Sequence, residues 1–190
     1  MSKALLIVDI QNDYFPGGRM ELEGSEAASL KARALLTAFR GRRLPVLHMQ
    51  HVSVRPGATF FLPDTEGVKI HPNVAPADGE IVVQKHFPNG FRDTALLDHL
   101  KKAGVQELVI AGMMTHMCID ATTRTASDFG FKCFLAHDAC ATRALAFGDK
   151  KISAEQVHYS FLSALNGAYA SVQGAQELAR AVAASSPASG

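Results

Sequence analysis

The chain has 190 residues, 47% of them apolar and 19% charged, with a formal net charge of +1, which is enough for one domain with a sizeable core. So even a balance, with no concentration of Lys and Arg beyond Arg40-Gly41-Arg42-Arg43, argues against a nucleic-acid or membrane-surface partner. The three cysteines, Cys118, Cys133 and Cys140, are an odd count in mostly apolar contexts. They do not read as a disulfide framework.

Met1-Ser2-Lys3 runs straight into the first apolar segment, with no charged stretch and hydrophobic stretch of a leader. No apolar run approaches the length of a membrane span, and a reducing cytoplasm is the expected compartment. Strands are predicted at Ala4–Asp9, Pro45–Gln50, Ile81–Lys85, Glu107–Met113 and Lys132–Ala136, with a weaker one near Ala168–Val172. These runs are almost uniformly apolar rather than alternating, as strands buried on both faces are. Helices are predicted between them, at Ser25–Arg40, Thr94–Ala103, Met117–Phe129, Ser153–Ala164 and Ala175–Ala184. Asp93 reads as an N-cap, Ser153-Ala154-Glu155-Gln156 as a capping box, and Gly41, Gly104 and Gly130 as residues just past helix ends.

Strand and helix in alternation predict a parallel sheet covered on both faces, an α/β fold built as a three-layer α/β/α sandwich. The expected organisation is a single domain over residues 1–184 and a small, polar tail over 185–190. Two segments, Gln11–Gly24 and His51–Gly79, are too long for simple connections. Both follow strands, so both overhang the carboxyl edge of the sheet, where open α/β folds bind ligands.

Three residues at strand ends carry chemistry. Asp9 closes the first apolar run, where a carboxylate needs a partner; it reads either as an anchor for the Gln11-Asn12-Asp13 turn or as a general base. Lys85 closes Ile81-Val82-Val83-Gln84, and is either an ammonium reaching the rim or a partner for Asp9. Cys118 lies where a strand gives way to a helix, a setting that lowers a thiol's pKa and favours the nucleophilic thiolate. Cys133 reads as an inert core thiol, and Cys140 receives no role. Phe15, Phe60, Phe61, Phe87 and Phe91 are loop aromatics, some anchoring the loops and the rest forming a pocket wall. Gln50 and His116 are polar candidates for holding a substrate, His116 equally a hydrogen-bonded structural histidine.

Four stretches carry a resemblance: Leu5 through Phe15, Val83 through Phe91, Gly112 through Asp128, and His137-Asp138-Ala139-Cys140-Ala141-Thr142. With them the chain resembles the isochorismatase-like cysteine hydrolase superfamily, which includes nicotinamidases, N-carbamoylsarcosine amidohydrolase, streptothricin hydrolase-like enzymes and isochorismatases. The resemblance implies a six-stranded parallel sheet of order 3-2-1-4-5-6 and a catalytic triad of Asp9, Lys85 and Cys118. It also implies a cis peptide between Met113 and Met114 that turns the Met114 N–H toward an oxyanion, beside the Cys118 N–H.

The implied activity is hydrolysis of a small amide-like C–N bond through a thioester, with no cofactor, in a homo-oligomer, dimer or tetramer. The substrate is a small molecule bound by Phe15, Gln50, Phe61, Phe87, Phe91 and His116. The alternatives are vinyl-ether cleavage, as in isochorismatase proper, or a non-catalytic binding subunit on the same fold. One departure concerns metal. The nicotinamidases carry an Asp-x-His pair and a further His, whereas this chain reads His48-Met49-Gln50-His51-Val52-Ser53. His48, His51 and His71 are the ligands left to consider, and no metal is expected.

Overall fold

The computed structural model describes residues 2–184. The tail expected over 185–190 lies outside the described residues. Eight strands are described: β1 (Ser2–Val8), β2 (Val46–His51), β3 (Ile81–Lys85), β4 (Val105–Met113), β5 (Lys132–Ala141), β6 (Leu145–Phe147), β7 (Lys150–Ile152) and β8 (Ala170–Gln173). The helices are α1 (Ser25–Gly41), α2 (Leu96–Lys102), α3 (Asp120–Asp128), α4 (Ala154–Leu165) and α5 (Ala175–Ala184). Six strands form one parallel sheet in the order β3-β2-β1-β4-β5-β8. This is the expected order, with β8 in the sixth place because the β6–β7 hairpin intervenes in the chain. Among the described residues no helix is long and apolar enough to cross a membrane.

The period-2 alternation of a strand explains the layers. On β1, Leu5 and Ile7 pack against Leu35, Leu36 and Phe39 of α1 and Leu178 and Val182 of α5. Ala4, Leu6 and Val8 face the other way, toward Leu96 and Leu100 of α2, Ala126 of α3 and Leu162 and Leu165 of α4. Both faces are therefore dry, and each fully buried leucine contributes about 1.5–3 kcal/mol of transfer free energy. The chain runs β1, β2, β3 in one direction, then crosses back to lay β4 against the free side of β1. The strand order thus reverses between β1 and β4, and a crevice opens over their carboxyl ends.

Most boundaries fall within two residues of expectation, but β5 runs on past the expected end at Ala136 to Ala141, and other details differ too. Helix α2 begins at Leu96 behind Ala95 and has no side-chain cap; Asp93 lies earlier, at φ 55, and is not an N-cap. The helix predicted over Met117–Phe129 is split into a wide π-type turn, Thr115–Ile119, and α3. Gly41 is the last residue of α1 rather than a residue past its end. The Ser153 capping box is present, with both reciprocal hydrogen bonds made to Gln156. The hairpin β6–β7 was not expected; it holds Phe147 out at 85% exposure.

Gly112 fixes the spacing at the switch point. It stands opposite Val8 in the β1–β4 register, at φ 138, and an added Cβ would lie 1.9 Å from the Val8 carbonyl oxygen. Gly112→Ala is expected to wedge β1 from β4 next to Asp9 and to lower stability by about 3 kcal/mol or more. Chemical denaturation checks it; an unchanged midpoint would show that the strands have room to part.

Candidate active site

Each of the central side chains is delivered by a strand end. β1 stops at Val8, and Asp9 turns the chain out of the sheet at φ 51, a left-handed conformation that aspartate tolerates better than most residues. His51 and Lys85 are the last residues of β2 and β3, and the ladder pairs them side by side. Cys118 lies in the π-type turn after β4, behind a Met113–Met114 peptide that is cis. Asp9 is 0% exposed, Lys85 1% and Cys118 5%.

The Lys85 ammonium is the hub. Its Nζ is 2.7 Å from Asp9 Oδ2, 2.9 Å from His51 Nδ1, 3.1 Å from the Phe87 carbonyl oxygen and 3.3 Å from Cys118 Sγ. Burial alone would discharge this amine, but the Asp9 charge and the Cys118 sulfur outweigh it and hold its pKa above the ordinary lysine value. Among the described residues the Asp9 carboxylate has no neighbours to donate to it besides the Lys85 ammonium and the Cys118 thiol. A carboxylate oxygen of Asp9, a ring nitrogen of His51 and Cys118 Sγ all lie within 4.8 Å of one another.

The thiol differs from expectation. Burial first, and then the Asp9 carboxylate, push the Cys118 pKa well above its ordinary value, against the opposing pull of Lys85. The helix α3 begins only at Asp120, so its positive end does not act on the sulfur alone. The resting group is a neutral thiol with an acceptor carboxylate beside it. Cys133 and Cys140 are buried thiols too, both pushed up to about 12, chiefly by burial.

The histidines considered as metal ligands do not converge. His48 is on the opposite face of β2 from His51; its Nε2 is 2.9 Å from Glu80, and Arg40 grips the same carboxylate with two N–H groups. His71 stacks on Phe15 at 3.7 Å between ring centroids. The remaining donors, Asp9, His51 and Cys118, are gathered round the Lys85 ammonium, which takes the place that a cation would need. This donor set does not fit a metal ion.

The Glu80 cluster makes stability sensitive to acid. Burial would raise the Glu80 pKa, but Arg40, the Ala77 N–H and His48 outweigh it and bring it down to about 2. His48 is lowered by burial more than Glu80 raises it. Both folded-state values lie below the unfolded ones, so the unfolded chain binds more protons and stability falls as pH drops. For Glu80 that loss runs from about pH 4.5 down toward 2. Glu80→Gln is expected to flatten the fall in melting temperature over this window; an identical slope in both proteins would remove Glu80 from the account.

A cavity of about 360 Å³ opens onto the sulfur, walled by Tyr14, His51, Phe60, Phe87, Met114 and Cys118 among others. Of the six residues expected to bind substrate, Phe87 lines it. The other five are placed elsewhere. Phe15 is buried against His71, and Phe61 is fully buried behind Phe60 and edge-on to Tyr14. Gln50 donates to the Val68 carbonyl oxygen and accepts from Gln84. Phe91 packs with Phe129 and Phe131, and His116 is tied to Thr142 and rests on Phe161. Tyr14 and His51 were missed as lining residues.

The loops that bring these walls together are held by buried polar side chains. Gln11 donates to the carbonyl oxygens of His51 and Val68 and accepts from the His51 N–H. Asp13 accepts from the N–H groups of Arg19 and Phe61. Gly67 leaves room for that carboxylate, since an added Cβ would lie 2.1 Å from Asp13 Oδ1.

Comparison with known proteins places the chain in a family. The isochorismatase domain profile matches residues 3–176. The chain is 51% identical over 173 residues to the uncharacterised isochorismatase family protein YddQ of Bacillus subtilis, covering 91% of this chain and 96% of that one. It is 39% identical over 140 residues to a streptothricin hydrolase of Streptomyces noursei, covering 74% of this chain and 50% of that one. A crystal structure assigned to the isochorismatase hydrolases, from Oleispira antarctica, superposes with a TM-score of 0.91 at 50% identity, covering 94% and 96% of the two chains. A sheet whose order reverses beneath a clustered acid, amine and thiol, together with these matches, shows that the chain belongs to the isochorismatase family of hydrolases.

Proposed function

We propose that the protein hydrolyses a small amide-like C–N bond through a thioester on Cys118. The observation that carries this reading is the convergence of Asp9, Lys85 and Cys118 at one end of the cavity. Asp9 takes the thiol proton as the sulfur attacks the carbonyl carbon. The oxyanion is received by the N–H groups of Met114 and Cys118. Asp9 then hands its proton to the leaving nitrogen, and the C–N bond breaks to leave the thioester. Water attacks next, giving its proton to Asp9, and the C–S bond breaks as the sulfur regains a proton. Lys85 remains charged throughout and steadies Asp9 and the sulfur.

A neutral thiol beside a hydrogen-bond-poor carboxylate suits this sequence, because proton removal and attack are coupled and no exposed thiolate waits to be oxidised. Vinyl-ether cleavage needs protonation of carbon and makes no use of a nucleophilic sulfur. The test is a panel of small amides, ureides and lactams offered to the protein, with intact mass read on Cys118. Addition of an acyl group, followed by its loss as amine appears, is the expected result. Release of pyruvate from isochorismate with no acyl adduct would overturn it.

A further inference from the structure

Two donors border the cavity with no acceptor for them among the described residues. The first is Tyr14. Its side chain is 2% exposed and lines the cavity, its ring is fixed edge-on by Phe61, and its hydroxyl makes no hydrogen bond among the described residues. Burial, then the nearby Cys118 and Asp9, raise its pKa well above the ordinary value, so it remains a neutral O–H. The second is His51. The Lys85 ammonium has only protons to offer, so His51 Nδ1 must accept, and the ring proton belongs on Nε2. Burial, then the Lys85 charge, lower the His51 pKa to about 4, so the ring is neutral. A neutral ring whose free edge is an N–H cannot act as a base there; it can only donate.

Cationic side chains flank these donors, and the two carboxylates felt there, Asp9 and Asp13, already have partners of their own. Arg55 lines the cavity, its charge is felt at the His51 ring, and it has no carboxylate partner among the described residues. Arg143 acts in the same way on the Tyr14 hydroxyl. No carboxylate appears in the cavity wall; Asp9 lies behind it, paired with Lys85. Asp13, the other acid felt at Tyr14, is already engaged by two backbone N–H groups.

We infer that the substrate is an amide whose other end is a carboxylate, received by the Tyr14 hydroxyl and the His51 Nε2–H under the charge of Arg55. This rests on the amidase reading, since it takes the reacting carbonyl to be at Cys118. The reacting oxygen has its own backbone donors there, which leaves these two side chains for a second acceptor. An amide without one would leave the buried Tyr14 hydroxyl and the half-buried His51 N–H unpaired, a cost that makes such donors selective.

The test uses two probes of one shape, succinamate and butyramide, which differ by a carboxylate in place of a methyl group. Binding is measured by calorimetry to the Cys118→Ala protein, so affinity is read apart from turnover. Succinamate is expected to bind about ten-fold more tightly or better. Tyr14→Phe and His51→Leu, each built on Cys118→Ala, are expected to bring the two probes within about three-fold of each other. His51→Gln, whose amide can accept from Lys85 and still donate, is expected to keep the preference. Two-bond proton–nitrogen correlation of the histidine ring in the free protein is expected to show a proton on Nε2.

Equal affinity for the two probes, no binding of either, or a preference that survives Tyr14→Phe and His51→Leu would overturn the inference. So would a proton on Nδ1 of His51. A wild-type protein that forms no acyl adduct but prefers succinamate in these measurements would sink the amidase reading and leave the carboxylate site standing.

Discussion

Cys118→Ala will leave a folded protein that forms no acyl adduct and turns over no amide, a loss of roughly 10³-fold or more. The sulfur is small and sits in a wall that already faces a cavity, so its removal costs little packing, about 1–2 kcal/mol at most. It also frees the Asp9–Lys85 pair of a competing neighbour and leaves that pair intact at 2.7 Å. Circular dichroism and a melting curve check the fold; mass spectrometry and amine release check the chemistry. Normal turnover would remove the sulfur from the reaction and with it the proposed thioester.

Lys85→Met will damage both stability and activity. Both partners of the ion pair are buried, and among the described residues Asp9 has no other donor beside it than the weakly donating Cys118 thiol. Breaking such a pair from one side costs about 3–5 kcal/mol, because the remaining charge must be carried bare or neutralised. In a chain of this size that is a fall of about 10 °C in melting temperature. Asp9→Leu added to Lys85→Met removes the orphaned carboxylate and is expected to recover much of the stability and none of the turnover. A single Lys85→Met variant as stable as wild type would mean that water or a rearranged donor already serves Asp9.

The sheet was legible in the sequence because strands buried on both faces are continuous apolar runs, as the central strands β1, β2 and β4 are, and even the edge strand β3, exposed at Val82 and Gln84, begins with three apolar residues. The helix starts were legible where a cap exists, as at Ser153, and misread where none does, as at Leu96. The hairpin was not legible. Its strands are three residues each, carry Lys150 and Lys151, and bury little. Asp9, Lys85 and Cys118 could be found because a polar residue at the end of an apolar strand is conspicuous. His51 gave the same signal one strand away, paired with Lys85 in register, but was weighed only as a metal ligand.

The aromatic wall was missed by single residues. The sequence reading weighed Phe60 with the other loop aromatics but chose Phe15 and Phe61 as binding residues, and the cavity uses their neighbours Tyr14 and Phe60. Adjacent side chains point to opposite sides of a chain, and which side faces inward depends on the course of a long loop. That course is set by the Asp13 carboxylate gripping the Phe61 N–H and by the left-handed turn at Phe61 itself, φ 55. Apolar periodicity reports neither.

The Gln11 and Asp13 tethers bear on how tightly this protein can hold a small ligand. Loop ordering is an entropic charge that must be met at some moment, either while the chain folds or when the ligand arrives. With His51, Phe61, Gly67, Val68 and Lys69 already fastened to the segment after β1, it is met at folding. The vestibule stands ready-shaped, and a guest of few atoms is spared that share of the cost of binding.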